Sequence, residues 1–225
     1  MTHKNRYFCR SKISEARFRA LVRCFALDLT ATTTAELTGL SVRSVNTIFL
    51  GVRRRMAEEC ERRSPFHGEV EVDESFFGPW RVRGKRGRGT YKKTIVFGML
   101  KRDDCVYTQI VPNCRAITLQ AVIRGHIALD STILSDCLNS YDGLVDLGYA
   151  KHLRIRHSAD HFADGPNHIN GIESFWSYAK RRLAKFNGLS KHTFPLHLKE
   201  CEYRFNHRHE ELYRVILALL RHHPL

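Results

Sequence analysis

Apolar positions recur at helical spacing along the first part of the chain: Phe18, Leu21, Val22 and Phe25, then Leu37, then Val45, Ile48, Phe49 and Val52. Intervals of three and four residues place such side chains on one side of a helix, so this stretch is read as helices that each bury one stripe. Past "RRSPFHGEV" the period shortens. "GEVEVDESFF", "KTIVFGMLK", "CVYTQIVP", "STILSDC" and "HLRIRHS" are short runs rich in β-branched and aromatic residues, and they predict five strands. "ITLQAVIRGHI" and "YDGLVDLGY" return to helical spacing between the later strands, and the chain turns helical again in "HINGIESFWSYAKRRLAKFNG" and "TFPLHLKECEYRFNHRHEELYRVILALLRHH". No internal repeat or low-complexity segment interrupts this order. The change of period predicts a small all-α domain over 1–64, followed by an α/β domain over 65–225 that includes the C-terminal helices.

Composition adds a partner to this picture. The 225 residues, 43% hydrophobic, suffice for a sizeable core, but 37 Lys and Arg face 23 Asp and Glu, a net charge of +14 that attracts polyanions. A membrane is the weaker reading of that partner, because the longest apolar run, "VILALL", falls far short of the ~18 residues a spanning helix needs. "MTHKNRYFCRSK" has no signal-peptide apolar segment, so a cytoplasmic, nucleoid-associated location is expected. The 7 cysteines form no C-x-x-C pair and are read as reduced packing residues, neither a disulfide framework nor a zinc site. His157, His161 and His168 lack a compact ligand spacing and are set aside as a metal cluster.

Two basic stretches are suited to nucleic acid. "TTTAELTGLSVRSVNTIFLGVRRR" has a small residue (Ala35), a glycine able to turn at positive φ (Gly39) and an apolar residue (Val45) at the spacing of a helix-turn-helix, with Ser41 as the N-cap of the second helix. The outward positions of that helix, Arg43, Ser44, Asn46 and Thr47, are types that hydrogen-bond base edges or phosphates, and Arg53, Arg54 and Arg55 follow as a phosphate clamp. The second stretch, "WRVRGKRGRGTYKK", lies between the first two strands as a long hairpin. Its cations include Arg83, Lys85, Arg86, Arg88, Lys92 and Lys93, and its glycines let the backbone approach phosphates.

The chemistry is expected at three acids. Asp73 stands toward the end of the first strand and Asp136 at the end of a later one, the end at which sheets with helical crossovers carry their sites. Two carboxylates held close repel unless a divalent cation lies between them, and hard oxygen ligands suit Mg²⁺ or Mn²⁺. Glu173 is a third carboxylate, on a helix whose other charges are Lys180, Arg181, Arg182 and Lys185. An acid among cations can hold metal while the cations hold the phosphodiester. Glu71 and Glu74 flank Asp73 and are read either as supports of a ligand or as solvent-facing strand charges.

"VDES", "LSD" and "NHINGIESFW", with 62 residues between the aspartates and 36 between Asp136 and Glu173, resemble the DDE transposases of small bacterial insertion sequences related to the eukaryotic Merlin elements. "GKRGRG", "KTIVFGMLKR", "AKRRLAKFNG" and "LKECEYRFN" are similar to the corresponding segments of that family, so the resemblance covers nearly the whole chain. It implies a ribonuclease-H-like mixed sheet with flanking helices, binding of terminal inverted repeats and of target DNA, assembly as a homodimer or larger on double-stranded DNA, and strand cleavage and transfer with two Mg²⁺ ions, Mn²⁺ being able to replace them. Carried over, Asp73, Asp136 and Glu173 are metal ligands, Lys180 is the basic residue that accompanies the triad, and the hairpin cations with Arg181 and Arg182 grip phosphates. Two departures matter. Relatives with a zinc-binding N-terminus are not matched by the cysteine spacing here, and relatives with asparagine at the third position make Asn170 a rival to Glu173. A non-catalytic DNA-binding regulator and a nuclease without strand transfer are the alternative functions.

Overall fold

The computed structural model describes residues 5–62, 66–78, 93–102, 105–136, 141, 143–145, 147–155 and 169–225. They form two compact units, one of Met1–Cys60 with His207–Leu225 and one of Glu61–Asn206.

The first unit contains α1 (Glu15–Ala26), α2 (Ala31–Thr38), α3 (Val42–Cys60) and, from the end of the chain, the helix Leu212–His222. Local chemistry sets the helix ends. Ser14 and Thr30 accept backbone N–H groups of Arg17 and Thr33, and Ser41 Oγ accepts the Ser44 N–H at 3.1 Å. Gly39 closes α2 at φ 65°, a left-handed conformation open to glycine at no steric cost, and donates its N–H to the Ala35 carbonyl. Ala35, Val45 and every expected stripe residue of α1 and α3 are buried, whereas Leu37 is 66% exposed. The helix Leu212–His222 packs on α1 and α3 and buries Ile216, Leu217, Leu219 and Leu220. Backbone bonds between Leu225 and both Tyr7 and Cys9 tie down the segment after it. The division expected near residue 64 counted this helix with the α/β domain; its apolar stripe is buried in the helical unit instead.

The second unit is built on β1 (Glu69–Phe77), β2 (Thr94–Lys101), β3 (Val106–Val111), β4 (Thr132–Ser135) and β5 (Lys151–Arg154), in the spatial order β3-β2-β1-β4-β5. β1, β2 and β3 form antiparallel pairs, β4 lies parallel to β1, and β5 parallel to β4, which is the ribonuclease-H-like arrangement. Alternation along the strands feeds two cores. Val70, Val72, Phe97 and Met99 pack with residues of α4 (Ala116–His126), whereas Phe77, Val96 and Leu100 pack with α5 (Asn170–Ala184) and α6 (Phe194–Asn206); the last helix is thus α7. α6 also covers the edge strand. Asn206 exchanges two hydrogen bonds with the Val106 backbone, and the buried Glu202 carboxylate accepts the Thr108 N–H and hydroxyl.

All five strands lie where the alternating runs predict them. The segment 141–149 does not form the expected helix. Its described residues make turns, with Gly143 and Gly148 at φ 80° and 96°, although Tyr141, Leu144 and Tyr149 supply the core as their apolar character implied. The six described cysteines are free thiols. Among the described residues no helix is long and apolar enough to cross a membrane.

Candidate active site

The parallel pairing of β1 with β4 sets the site. Glu69, Val70 and Glu71 pair with Thr132, Ile133 and Leu134; Asp73 follows two residues further along β1 and Asp136 just past the end of β4, close enough for the Asp136 charge to act on Asp73. Period-two alternation turns Glu71, Asp73 and Phe77 toward α5, and Glu74 toward the other face. Glu71 is buried rather than solvent-facing. Its Oε2 accepts the Ile172 N–H at 2.9 Å, one of the unpaired donors of the first turn of α5, where the N-cap residue Ile169 offers no side-chain cap. Arg102 bonds the other oxygen at 3.2 Å. Gly171 is small for this reason, since a Cβ there would come within 2.9 Å of Glu71 Oε2 and of Leu100. Glu71 therefore docks the start of α5 on β1, a use that spacing along a single strand does not reveal.

One turn further along α5, Trp176 Nε1 donates to Asp73 Oδ2 at 2.9 Å. One turn beyond that, Lys180 Nζ lies 5.9 Å from the centre of the Phe77 ring. α5 thus follows β1, and Glu173, Trp176 and Lys180 occupy one side of it, three and four residues apart. Glu173 and Lys180 are exposed. Asn170, at the first position of α5, is exposed as well.

Electrostatics single out the strand acids. Burial pushes the Asp73 carboxyl up to about 7, and the neighbouring charges of Glu74 and Asp136 push the same way, against the hydrogen bond from Trp176. Glu74 is also raised, first by burial and then by Asp136, while the Tyr141 hydroxyl donates to its Oε2 at 2.5 Å. Like-charged carboxylates set this close suit a cation, and their hard oxygens suit a divalent one. Among the described residues no group of three or more His, Cys, Asp and Glu is arranged to hold a metal. The strands bring two donors together, and Glu173, exposed on α5, does not complete a three-carboxylate cage with them.

The raised Asp73 value makes a prediction for the metal-free protein. A carboxyl that ionises near 3.8 when unfolded and near 7 when folded contributes stability that is complete below the lower value and is lost as pH rises through the upper one. The melting temperature should therefore fall between about pH 4 and pH 7, by the equivalent of about 4 kcal/mol at most. Asp73→Asn should remove that part of the slope. Equal slopes in the two proteins, measured by calorimetry in chelator-treated buffer, would refute the assignment.

The expected phosphate contacts divide. Arg43, Asn46, Thr47, Arg54 and Arg181 are exposed, and Lys93 is half-buried. Ser44 is engaged at the helix start, its hydroxyl 2.9 Å from that of Ser41. Arg53 is buried, with its guanidinium over the rings of Phe25 and Phe49, and Arg55 bonds Glu58 and the Pro224 carbonyl, so the three arginines do not act together as a clamp. Arg182 is buried in α5, where its Nη2 lies 2.5 Å from Glu200 Oε1, an oxygen that Arg204 shares. It serves the packing of α5 on α6, not a phosphate. Arg83, Lys85, Arg86, Arg88, Lys92, His157, His161 and His168 lie outside the described residues.

Comparison with known proteins gives this geometry a context. Residues 65–206 match the profile of the ISXO2-like transposase domain. A Haemophilus influenzae protein described as an uncharacterized transposase-like protein is 50% identical over 101 residues, 45% of this chain and 80% of that one. A protein of the transposable element ISH50 of Halobacterium salinarum is 25% identical over 176 residues, 72% of this chain; the match spans 60% of the relative. Among solved structures, the Mos1 strand transfer complex aligns with a TM-score of 0.35 at 14% identity, over 91% of this chain and 75% of that one. The simian T-cell lymphotropic virus intasome aligns at 0.38 and 10%, over 84% and 68%.

Proposed function

The chain belongs to the family of the ISXO2-like transposase domain, and from that premise we propose that it binds the terminal inverted repeats of a mobile element, cuts the DNA there and joins the freed ends to target DNA. The observation that supports this reading is the parallel β1–β4 pairing, which brings the strand ends that carry Asp73 and Asp136 side by side, with Asp73 bonded by Trp176 of α5.

Asp73 and Asp136, with Glu173 from α5, would hold two divalent cations, Mg²⁺ or in its place Mn²⁺. Bound there, such ions polarise a phosphodiester and lower the pKa of a bound water. The chain's own residues do the rest. Glu71 and Trp176 hold α5 along β1, so Glu173 is kept on the acid side of the sheet. Lys180 and Arg181, exposed on α5, attract the phosphates on either side of the cut. The segment 1–64 reads the repeat, with Arg43 and Asn46 as exposed donors suited to base edges in the major groove and Thr47 and Arg54 suited to phosphates. The basic stretch over 80–93 supplies sequence-independent grip. Two element ends handled together call for at least two copies on the DNA.

The test is incubation of the protein with labelled element-end DNA, a target plasmid and Mg²⁺, followed by electrophoresis for joined products. Joined products support the proposal. Cut but unjoined 3′-hydroxyl ends make the protein a nuclease, and binding without cutting makes it a regulator. In the same reactions, changing Arg43 and Asn46 together to Ala should reduce the preference for end DNA over random DNA by roughly tenfold or more, since each base contact contributes about 1–3 kcal/mol.

A further inference from the structure

Trp176 is held in place by an empty position in the sheet. Gly98 of β2 is the register partner of Asp73, and it has no side chain where the indole lies: a Cβ there would come within 2.5 Å of Trp176 Cζ2 and 2.7 Å of Cη2. Ile172 Cδ1, at 2.9 Å from the same point, closes the slot from the previous turn of α5. Phe77 lies edge-on, 6.0 Å between ring centres. The indole is thus held by β2 at its outer ring and flanked by Phe77, and it is 5% exposed. Its single donor is spent on Asp73 Oδ2.

Such placement is more than packing requires. A Phe at 176 would bury a ring in the same core without a polar atom to satisfy, whereas an indole N–H in a core needs an acceptor, and here the acceptor is the acid at the centre of the candidate site. A charge-assisted bond to one oxygen fixes the rotation of the carboxylate about its Cβ–Cγ bond and leaves the other oxygen for a cation.

We propose that Trp176 is a positioning residue: lodged over Gly98, it orients Asp73 for metal binding and ties the helix that carries Glu173 and Lys180 to that acid. This rests on the reading of Asp73 as a metal ligand. Neither Trp176 nor Gly98 touches the reacting atoms. Their effect is on how well Asp73 is presented, so it should be seen in metal affinity before any DNA is cut.

The experiment is a Mn²⁺ titration of the full-length protein without DNA, read by thermal shift and by calorimetry. Trp176→Phe, which keeps a ring but lacks the N–H, should raise the half-saturating Mn²⁺ concentration about ten- to a hundredfold, the usual cost of losing a partner of a metal ligand. Replacing Trp176 alone by benzothienylalanine, an isostere without the N–H, should do the same with the core left full, which covers the case that Trp176→Phe does not fold. Gly98→Ala should weaken Mn²⁺ binding in the parent protein. It should add a smaller loss of affinity in the Trp176→Phe background, because the outer ring that the new methyl strikes is absent there and only Ile172 remains against it. Parental Mn²⁺ affinity in the benzothienylalanine protein would overturn the proposal, as would a full additional loss of affinity from Gly98→Ala in the Trp176→Phe background. Asp73→Asn separates the two levels: if it leaves Mn²⁺ binding intact, the ligand assignment itself is wrong, whatever Trp176 does.

Discussion

Asp73→Asn is expected to lower end cleavage and joining by roughly a thousandfold or more, equivalent to about 4 kcal/mol of transition-state stabilisation, while end DNA is still bound. The substitution removes the negative charge and keeps the shape. Trp176 can still donate to the amide oxygen, and the neutral side chain suits a position where burial already pushes the carboxyl up to about 7. The fold should accordingly survive and gain stability at pH 8, where the parent must carry a buried charge beside Glu74 and Asp136. Asp136→Asn should be as inactive, since the register makes the two acids one unit. It should also bring Asp73 back toward the ordinary carboxylate range by removing one like charge. Loss of activity together with a higher melting temperature distinguishes a lost ligand from a broken core. Mg²⁺-dependent joining within about tenfold of the parent in either variant would remove that residue from the set of essential ligands.

The strands and the two aspartates were legible because each announces itself locally. Alternating Val, Ile and Phe mark β1 and β2, and an acid at the end of such a run is conspicuous. What the sequence could not show is the partner across the fold. Arg53 and Arg182 read as cations for phosphate until the aromatic rings of Phe25 and Phe49, and the carboxylate of Glu200, are found against them. Glu71 reads as a support of Asp73 or a solvent-facing charge, yet it caps a helix that starts about a hundred residues later. Trp176 lies in the core, but its one polar atom meets Asp73, a contact that no spacing within α5 encodes. The segment 141–149 misled for a different reason: its apolar residues have helical intervals, while Gly143 and Gly148 take left-handed conformations that break the helix. The stripe of α7 was plain, but a stripe does not say which core it joins.

The third ligand is where the sequence left two answers and the structure supplies a reason to prefer one. At about 100° per residue, Glu173 lies about 60° round α5 from Trp176, the residue that touches Asp73, whereas Asn170 lies about 120° round and roughly opposite the buried face formed by Ile172, Phe175, Trp176 and Ala179. Lys180 shares the side of Glu173, about 40° from Trp176. Charge argues the same way, since a third carboxylate balances two divalent cations better than an amide does. Glu173→Gln is therefore expected to reduce strand transfer at least about a hundredfold while leaving the fold and DNA binding in place, binding being unchanged or tighter because a negative charge beside phosphate is gone. Asn170→Ala should cost less than about tenfold, having removed an exposed amide at the first position of the helix. Both variants should be assayed at saturating Mg²⁺ and again with Mn²⁺, so that weakened metal affinity is not read as a lost role. An inactive Asn170→Ala beside an active Glu173→Gln would reverse the assignment: α5 would then have to turn its outer side toward Asp73 and Asp136, breaking the Trp176 bond in doing so, and the proposed positioning role of Trp176 would fall with it.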